Sequence, residues 1–369
     1  MKGNARVVGV VIAGGGTGGH VFPGLAIAEE FRRRNENNRI LFVGTRRGFE
    51  RTAVPDAGFG IAYIDVEAIK GKGIMRALSS AAKIPRSMVQ SRAILGSFRP
   101  DMVIGVGGYA SGPAVLTALL MGMRTAIAEQ NAQPGLTNKI LGKMTDLRFL
   151  SFSETKRFFP GKESLVTGNP VRSGFLSLTG GKRGERRPFN LLIFGGSQGA
   201  SSINRAVTEF LEQAGPLLDE LHIVHQTGKA DFEGLQEVYR ERSINAEVLP
   251  FITDMAGAYQ RADLLICRAG ATSLAEITAS GKAAILVPYP FAAGDHQTRN
   301  AEILAAAGAA RMVTERELSG SRLMREVETL MRNSKELETM EEQAASLGNR
   351  NAAVDIVDAS MTLMGQGRV

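Results

Sequence analysis

The 369 residues include a single cysteine, Cys267, and no tryptophan. One thiol cannot form an intrachain disulfide, which suits a reducing compartment, and the thiol's place at the end of the apolar run 264–267 marks it as core. Aromatic residues make up only 6% of the chain. Its basic stretches therefore lack the interleaved rings of a nucleic-acid platform, and no nucleic acid is expected as a partner. Long apolar runs are missing as well. The longest, Pro113 to Met123, falls well short of the roughly 20 residues a membrane-spanning helix needs, which leaves a soluble or peripheral protein. Lys2 and Arg6 precede an apolar stretch in the manner of a secretory signal. That stretch is short and runs into glycines without a small-residue cleavage pattern, so it is read as a first strand.

Glycine is abundant at two particular places. The run Val7 to Ala13 leads into Gly14, Gly15, Gly16, Thr17, Gly18, Gly19 and His20, and the run Leu191 to Phe194 leads into Gly195, Gly196, Ser197, Gln198 and Gly199. A strand that turns through glycines into a helix presents backbone N–H groups and the positive end of a helix dipole to an anion. Glycines at such a turn also serve tight helix packing, so one loop alone says little. Two such units in a chain too long for one core predict two nucleotide-type domains.

Further runs at Ile40 to Val43, Met102 to Val106, Thr125 to Ala128, His222 to His225, Leu264 to Cys267 and Ala284 to Val287 alternate with helical stretches at Gly24 to Arg34, Ser201 to Gln213 and Leu274 to Ala279. This alternation is the pattern of parallel α/β sheets. A linker is expected from Gly168 to Pro188, where periodicity breaks, and Ala352 to Met364 is expected to form a helix packed against one domain.

Charge is divided unevenly between the halves. Residues 1–168 carry 23 Lys or Arg against 12 Asp or Glu, a net +11, and the remainder carries 21 against 25. An anionic membrane surface is the favoured explanation of this excess. Within Lys70 to Leu95, a helical wheel gathers Ile74, Met75, Leu78, Ala82, Met88 and Val89 on one side beside Arg76, Lys83 and Arg86. Such a stretch can lie in a lipid interface, although the pattern by itself fits an ordinary amphipathic surface helix kinked at Pro85 better.

Ligands of parallel sheets bind beyond the carboxyl ends of the strands. Gly14, Gly16 and Gly19 satisfy the dinucleotide fingerprint, yet the second strand ends in Gly44, Thr45, Arg46 and Arg47 rather than in the acidic residue that holds a ribose diol. Arginines there could hold the extra phosphate of NADP, which keeps a reductase among the readings. After Cys267 come Arg268, Ala269, Gly270, Ala271, Thr272 and Ser273, with Glu276 one turn into a helix. These can take a diphosphate and a ribose; Ser273 with Glu276 also makes a capping box that needs no ligand.

Taken in order, Gly15 to Gly24, Gly107 to Pro113, Glu129-Gln130-Asn131, Gly168 to Arg172, Gly195 to Ala200, Arg268 to Glu276 and Asp295-His296-Gln297 resemble the MurG family along almost the whole chain. Those bacterial enzymes add N-acetylglucosamine to lipid I to make lipid II for peptidoglycan. The resemblance implies an α/β GT-B fold, two Rossmann-like domains with parallel sheets facing a cleft. Residues 1–168 would bind acceptor and membrane, residues 169–346 UDP-GlcNAc, and a C-terminal helix at about 347–369 would pack back on the first domain.

It further implies that Ile252 meets uracil through its backbone and Glu276 holds the ribose. Ser197, Arg268 and the helix start from Ala271, Thr272 and Ser273 through Leu274 and Ala275 would face the diphosphate. Asn131 and Gln297 would contact the sugar, and Arg172 would reach the donor. Thr17, Gly18, Gly19, Tyr109 and Gln198 would belong to the substrate loops. The reaction would be an inverting transfer to the muramyl 4-hydroxyl, with His20 as the base and Glu129 as the substitute. His222 and His225 are read as structural, and His296 as orienting the loop of Gln297. No Asp-x-Asp motif occurs, so no metal and no cofactor is expected, and the helix dipole with Arg268 would meet the departing charge. The expected partners are UDP-N-acetylglucosamine, lipid I, an anionic membrane at the cytoplasmic face of the bacterial inner membrane, and other cell-wall synthesis proteins. Two other readings remain, a UDP-GlcNAc 2-epimerase and a non-enzymatic nucleotide-sugar sensor or scaffold.

Overall fold

The computed structural model describes residues 6–66, 74–178, 188–196 and 198–365, and of 74–83 only the backbone. The chain forms two compact units, Met1–Arg172 together with Arg350–Val369, and Ser173–Asn349.

In the first unit, strands β1 Gly9–Ala13, β2 Arg39–Gly44, β3 Gly60–Tyr63, β4 Met102–Gly105, β5 Arg124–Glu129, β6 Leu147–Leu150 and β7 Ser164–Val166 alternate with helices α1 Gly18–Arg34, α2 Glu50–Asp56, α3 Ile74–Phe98, α4 Ser111–Leu120 and α5 Leu136–Leu141. All strand pairs are parallel, in the order β3-β2-β1-β4-β5-β6-β7. The central strands are buried on both faces, as helix-covered parallel strands must be. Val10 and Ile12 pack with Leu25, Ile27 and Phe31 on one face, and Val11 and Ala13 with Leu95, Ala114 and Val115 on the other. Strand order reverses between β1 and β4, the topological switch point at which such sheets bind ligands.

The second unit contains α6 Ser173–Leu176, β8 Phe189–Phe194, α7 Ser201–Gln213, β9 Leu221–Gln226, α8 Phe232–Glu241, β10 Ala246–Leu249, α9 Met255–Arg261, β11 Leu264–Cys267, α10 Ala271–Ser280, β12 Ala284–Leu286, α11 His296–Ala306, β13 Arg311–Met312, α12 Gly320–Arg332 and α13 Ser334–Leu347. Its parallel order is β10-β9-β8-β11-β12-β13, with the switch between β8 and β11. Cys267 is buried, and burial pushes its thiol pKa up, with Glu276 adding to the rise.

The last helix, α14 Ala352–Gly365, belongs to the first unit. Ile356 and Val357 join the core containing Val10 and Phe31. Arg34, in the basic last turn of α1, pairs with Asp358 at 2.6 Å.

The first unit runs to Arg172, whose guanidinium lies 4.5 Å from the Phe22 ring on α1. The short helix α6 then opens the second unit, and the charged part of the expected linker, Lys182 to Arg187, lies outside the described residues. Helix α3 runs through Pro85. The side chains of Ile74, Met75, Arg76, Leu78, Ala82 and Lys83 also lie outside the described residues; beyond them Val89 is exposed and Arg86 pairs with Asp65 at 3.2 Å.

Candidate functional site

At the first switch point the turns after β1 and β4 are pressed together. Gly15 N donates to the Gly107 carbonyl at 3.3 Å. Gly108 has φ +79°, and a Cβ there would stand 2.1 Å from the Gly15 carbonyl oxygen, so only glycine fits. The remaining side of the loop is held by a carboxylate that the sequence reading missed. Glu50, 1% exposed, accepts from Gly16 N at 2.6 Å and from Thr45 N and Oγ1 at 2.8 Å. A Cβ on Gly15 would meet that carboxyl carbon at 2.2 Å. Both oxygens of Glu50 therefore serve the protein's own backbone and Thr45, and at 1% exposure the group is turned into the fold rather than toward a ribose diol. Arg46 lies against the Tyr63 ring at 5.1 Å. The dinucleotide reading of the first loop is corrected accordingly: this loop is braced from within.

Thr17 is the N-cap of α1, and Gly18 and Gly19 open the helix, which has no acidic residue in its first turn. His20 follows, half-buried, with its ring edge against Gly107: a Cβ at that glycine would stand 2.6 Å from His20 Cδ2 and 2.9 Å from Nε2. Phe22, one turn from Gly18, stacks edge-on with Phe49 at 5.4 Å and carries Arg172 on its face. Tyr109 is 53% exposed just before α4.

Glu129 does not fit the role of substitute base. It is 3% exposed at the end of β5. One oxygen accepts from Asn131 N and Nδ2 at 3.0 and 3.2 Å, the other from Gly135 N and Asn138 Nδ2 at 3.1 and 2.9 Å. Burial raises its pKa against the pull of these donors. A carboxylate shut away with four donors organises the loop that carries Asn131, and an acceptor hydroxyl finds no open lone pair on it.

At the second switch point Gly199 has φ +78°, and a Cβ there would meet the Thr227 carbonyl oxygen at 2.1 Å. Gln198 is exposed, and Ser197 lies outside the described residues. Helix α10 begins after Gly270, whose extended backbone makes it the N-cap, and Leu274 N already bonds Gly270 O at 3.0 Å. Ala271, Thr272 and Ser273 form the first turn with no acid among them. The capping box is thereby excluded, because Ser273 is inside the helix rather than at its cap. Glu276, 3% exposed within α10, is not an N3 partner of a capping serine. Ala275 is half-buried.

Arg268 donates through Nη1 to Glu315 Oε2 at 2.6 Å and to the Val287 and Pro288 carbonyls at 3.2 and 3.3 Å, and through Nη2 to Ser202 Oγ at 2.7 Å. Its expected free charge is thus already matched by Glu315, a residue in no motif and without a signal in the sequence. Gln297 accepts from Tyr289 N at 3.0 Å, and His296 Nδ1 bonds the Ala293 carbonyl at 2.8 Å. Ile252 is buried, between β10 and α9. His222 lies 3.9 Å from Glu247, and His225 is buried on β9.

Comparison with known proteins accounts for both units. The glycosyltransferase family 28 N-terminal domain matches residues 10–147, and the family 28 C-terminal domain matches residues 190–358. A UDP-N-acetylglucosamine--N-acetylmuramyl-(pentapeptide) pyrophosphoryl-undecaprenol N-acetylglucosamine transferase from Syntrophus aciditrophicus is 54% identical over 97% of this chain and 99% of its own length. The crystal structure of Acinetobacter baumannii MurG is similar at 34% identity and TM-score 0.78, covering 96% of this chain and 99% of that one. A putative UDP-N-acetylglucosamine 2-epimerase from Listeria monocytogenes shares the fold at TM-score 0.71 but only 14% identity, over 98% of each chain. The chain therefore belongs to the MurG transferases of glycosyltransferase family 28, UDP-GlcNAc-dependent enzymes of the α/β GT-B class.

Proposed function

We propose that this chain transfers N-acetylglucosamine from UDP-N-acetylglucosamine to the muramyl 4-hydroxyl of lipid I, giving lipid II with inversion at the anomeric carbon. The observation that carries this reading is the 54% identity over nearly the full length of both proteins. Likeness to the epimerase is likeness of fold alone.

The second unit takes the donor. The first turn of α10 presents the positive end of the helix dipole and no competing acid to the diphosphate. Glu276 receives the ribose hydroxyls, the Ile252 backbone meets uracil, and Gln297 turns its amide to the sugar. The first unit takes the acceptor along the braced loop of Thr17 to His20. The chemistry needs a base for a weak nucleophile, and an imidazole titrates near neutral pH. His20 removes the hydroxyl proton as that oxygen attacks the anomeric carbon and UDP departs from the opposite face.

The same unit meets an anionic lipid surface. Residues 1–168 carry the basic excess. On and after α5, Leu136, Ile140 and Met144 are exposed at a spacing of four, with exposed Lys139 and Lys143 between them. An apolar stripe flanked by cations suits a membrane interface. Among the described residues no helix is long and apolar enough to cross a membrane, so the contact is peripheral.

Turnover of UDP-N-acetylglucosamine with and without a lipid I analogue tests the reading. UDP release that depends on acceptor is expected. Acceptor-independent epimerisation, or no turnover at all, overturns it. In the same assay His20→Ala should lower kcat by roughly 10² to 10⁴ and abolish the acid limb of the pH profile. Near-normal kcat with a raised acceptor KM would move His20 from proton transfer to binding.

A further inference from the structure

Arg268 gathers the carboxyl end of the second sheet. It follows β11, and its acceptors come from the segment after β12 (Val287 and Pro288), the segment after β13 (Glu315) and the first turn of α7 (Ser202). Its guanidinium also lies 5.4 Å from the Tyr289 ring. The side chains of Arg268 and Glu315 are 11% and 29% exposed. Burial raises the carboxyl of Glu315, but bonds from Arg268 and Ser202 outweigh it and hold the group below the usual carboxylate range, so it is ionised whenever the enzyme works. An anion approaching the start of α10 therefore meets an arginine already balanced by a carboxylate.

The Nε–H and one Nη2–H of Arg268 have no acceptor among the described residues. A diphosphate can be bonded there without dislodging Glu315, and it then shares the guanidinium with an internal anion. We infer that Glu315 is a charge-setting positioning residue: it holds Arg268 in place while offsetting its charge, which keeps the diphosphate affinity low enough for UDP to leave after transfer. The inference rests on the reading that the diphosphate docks at the start of α10 beside Arg268.

Glu315→Gln isolates the charge. The carboxamide oxygen can still accept from Nη1, and Val287 O, Pro288 O and Ser202 Oγ still hold the guanidinium. Calorimetry on the full chain with UDP and with uridine reads the effect. UDP should bind about tenfold more tightly to Glu315→Gln at low salt, since one opposing charge at close range has been removed. Uridine affinity should be unchanged, product inhibition by UDP should strengthen by the same factor, and added salt should shrink the gain. Glu315→Asp, which keeps the charge, should retain the wild-type ratio of UDP to uridine affinity. Unchanged or weaker UDP binding in Glu315→Gln, with Arg268→Ala lowering that ratio, overturns the inference alone. An unchanged ratio in Arg268→Ala overturns the reading beneath it as well.

Discussion

His225 sits on β9 with Asn204 Oδ1 and Tyr239 Oη each 3.1 Å from a ring nitrogen. Asn204 directs its Nδ2 to Thr227 O and Asp231, so its Oδ1 accepts from His225 Nε2–H and Nδ1 accepts the tyrosine hydroxyl. Burial lowers the His225 pKa to about 3, against a small opposing pull from Asp231. The folded state thus holds the neutral ring while the unfolded chain titrates near 6.5. Above that pH the histidine imposes no penalty; as pH falls from about 6.5 toward 3, stability declines by about 1.4 kcal/mol per pH unit. Urea midpoints of His225→Gln and wild type should therefore diverge in slope between pH 7.5 and 5, with the flatter profile in the variant. Parallel profiles would show that His225 is not buried neutral. His20 is the opposite case, a half-buried imidazole at the mouth of a loop. The strand position of His225 was enough to mark it as structural in the sequence, but the partners Asn204 and Tyr239 were not visible there, because they are 21 and 14 residues away.

The loops act as elements rather than as strings of glycines. Glu50 joins the turn after β1 to the turn after β2, and Gly15 and Gly48 have no room for a Cβ beside its carboxylate. Glu50→Gln puts an amide where two backbone N–H groups need an acceptor. A loss of about 1 to 3 kcal/mol is expected for a donor left buried and unsatisfied. The Tm should fall, and acceptor KM should rise more than donor KM. Equal changes in both KM values would mean that Glu50 serves only the fold. Strands were legible where apolar runs are unbroken, as at Leu264 to Cys267, and illegible where a charge interrupts them. β6 contains Arg148, fully buried, which donates to the carbonyls of Gly142, Thr145, Asp146 and Glu163. No pattern rule places an arginine inside a sheet, because its burial depends on four carbonyls that only the folded chain brings together. β10 and β13, short and half-buried at the sheet edges, escaped for want of apolar length.

Across the whole molecule, charge predicts reversible association with anionic vesicles. The full chain should bind phosphatidylglycerol-containing liposomes and release them as salt rises, since screening shortens to about 10 Å at 0.1 M, with each basic residue near the surface contributing about 1 kcal/mol. Leu136→Glu with Ile140→Glu should weaken binding while turnover of a water-soluble acceptor persists. Salt-insensitive binding, or equal binding to neutral vesicles, would remove the membrane from the account. The alternating pattern of apolar runs and helices determined two parallel α/β units without reference to coordinates, because backbone hydrogen bonding and burial act on local periodicity. The motif order determined the family, since residue types at successive strand ends survive as text. Tertiary structure alone decided which charges are spent. Glu129 and Arg268 read as available groups in the sequence and Glu50 did not register there at all, and each of the three is already bonded within the fold. Whether a carboxylate or a guanidinium is open to a substrate depends on partners distant along the chain, and these become neighbours only when the strands align and their ends converge.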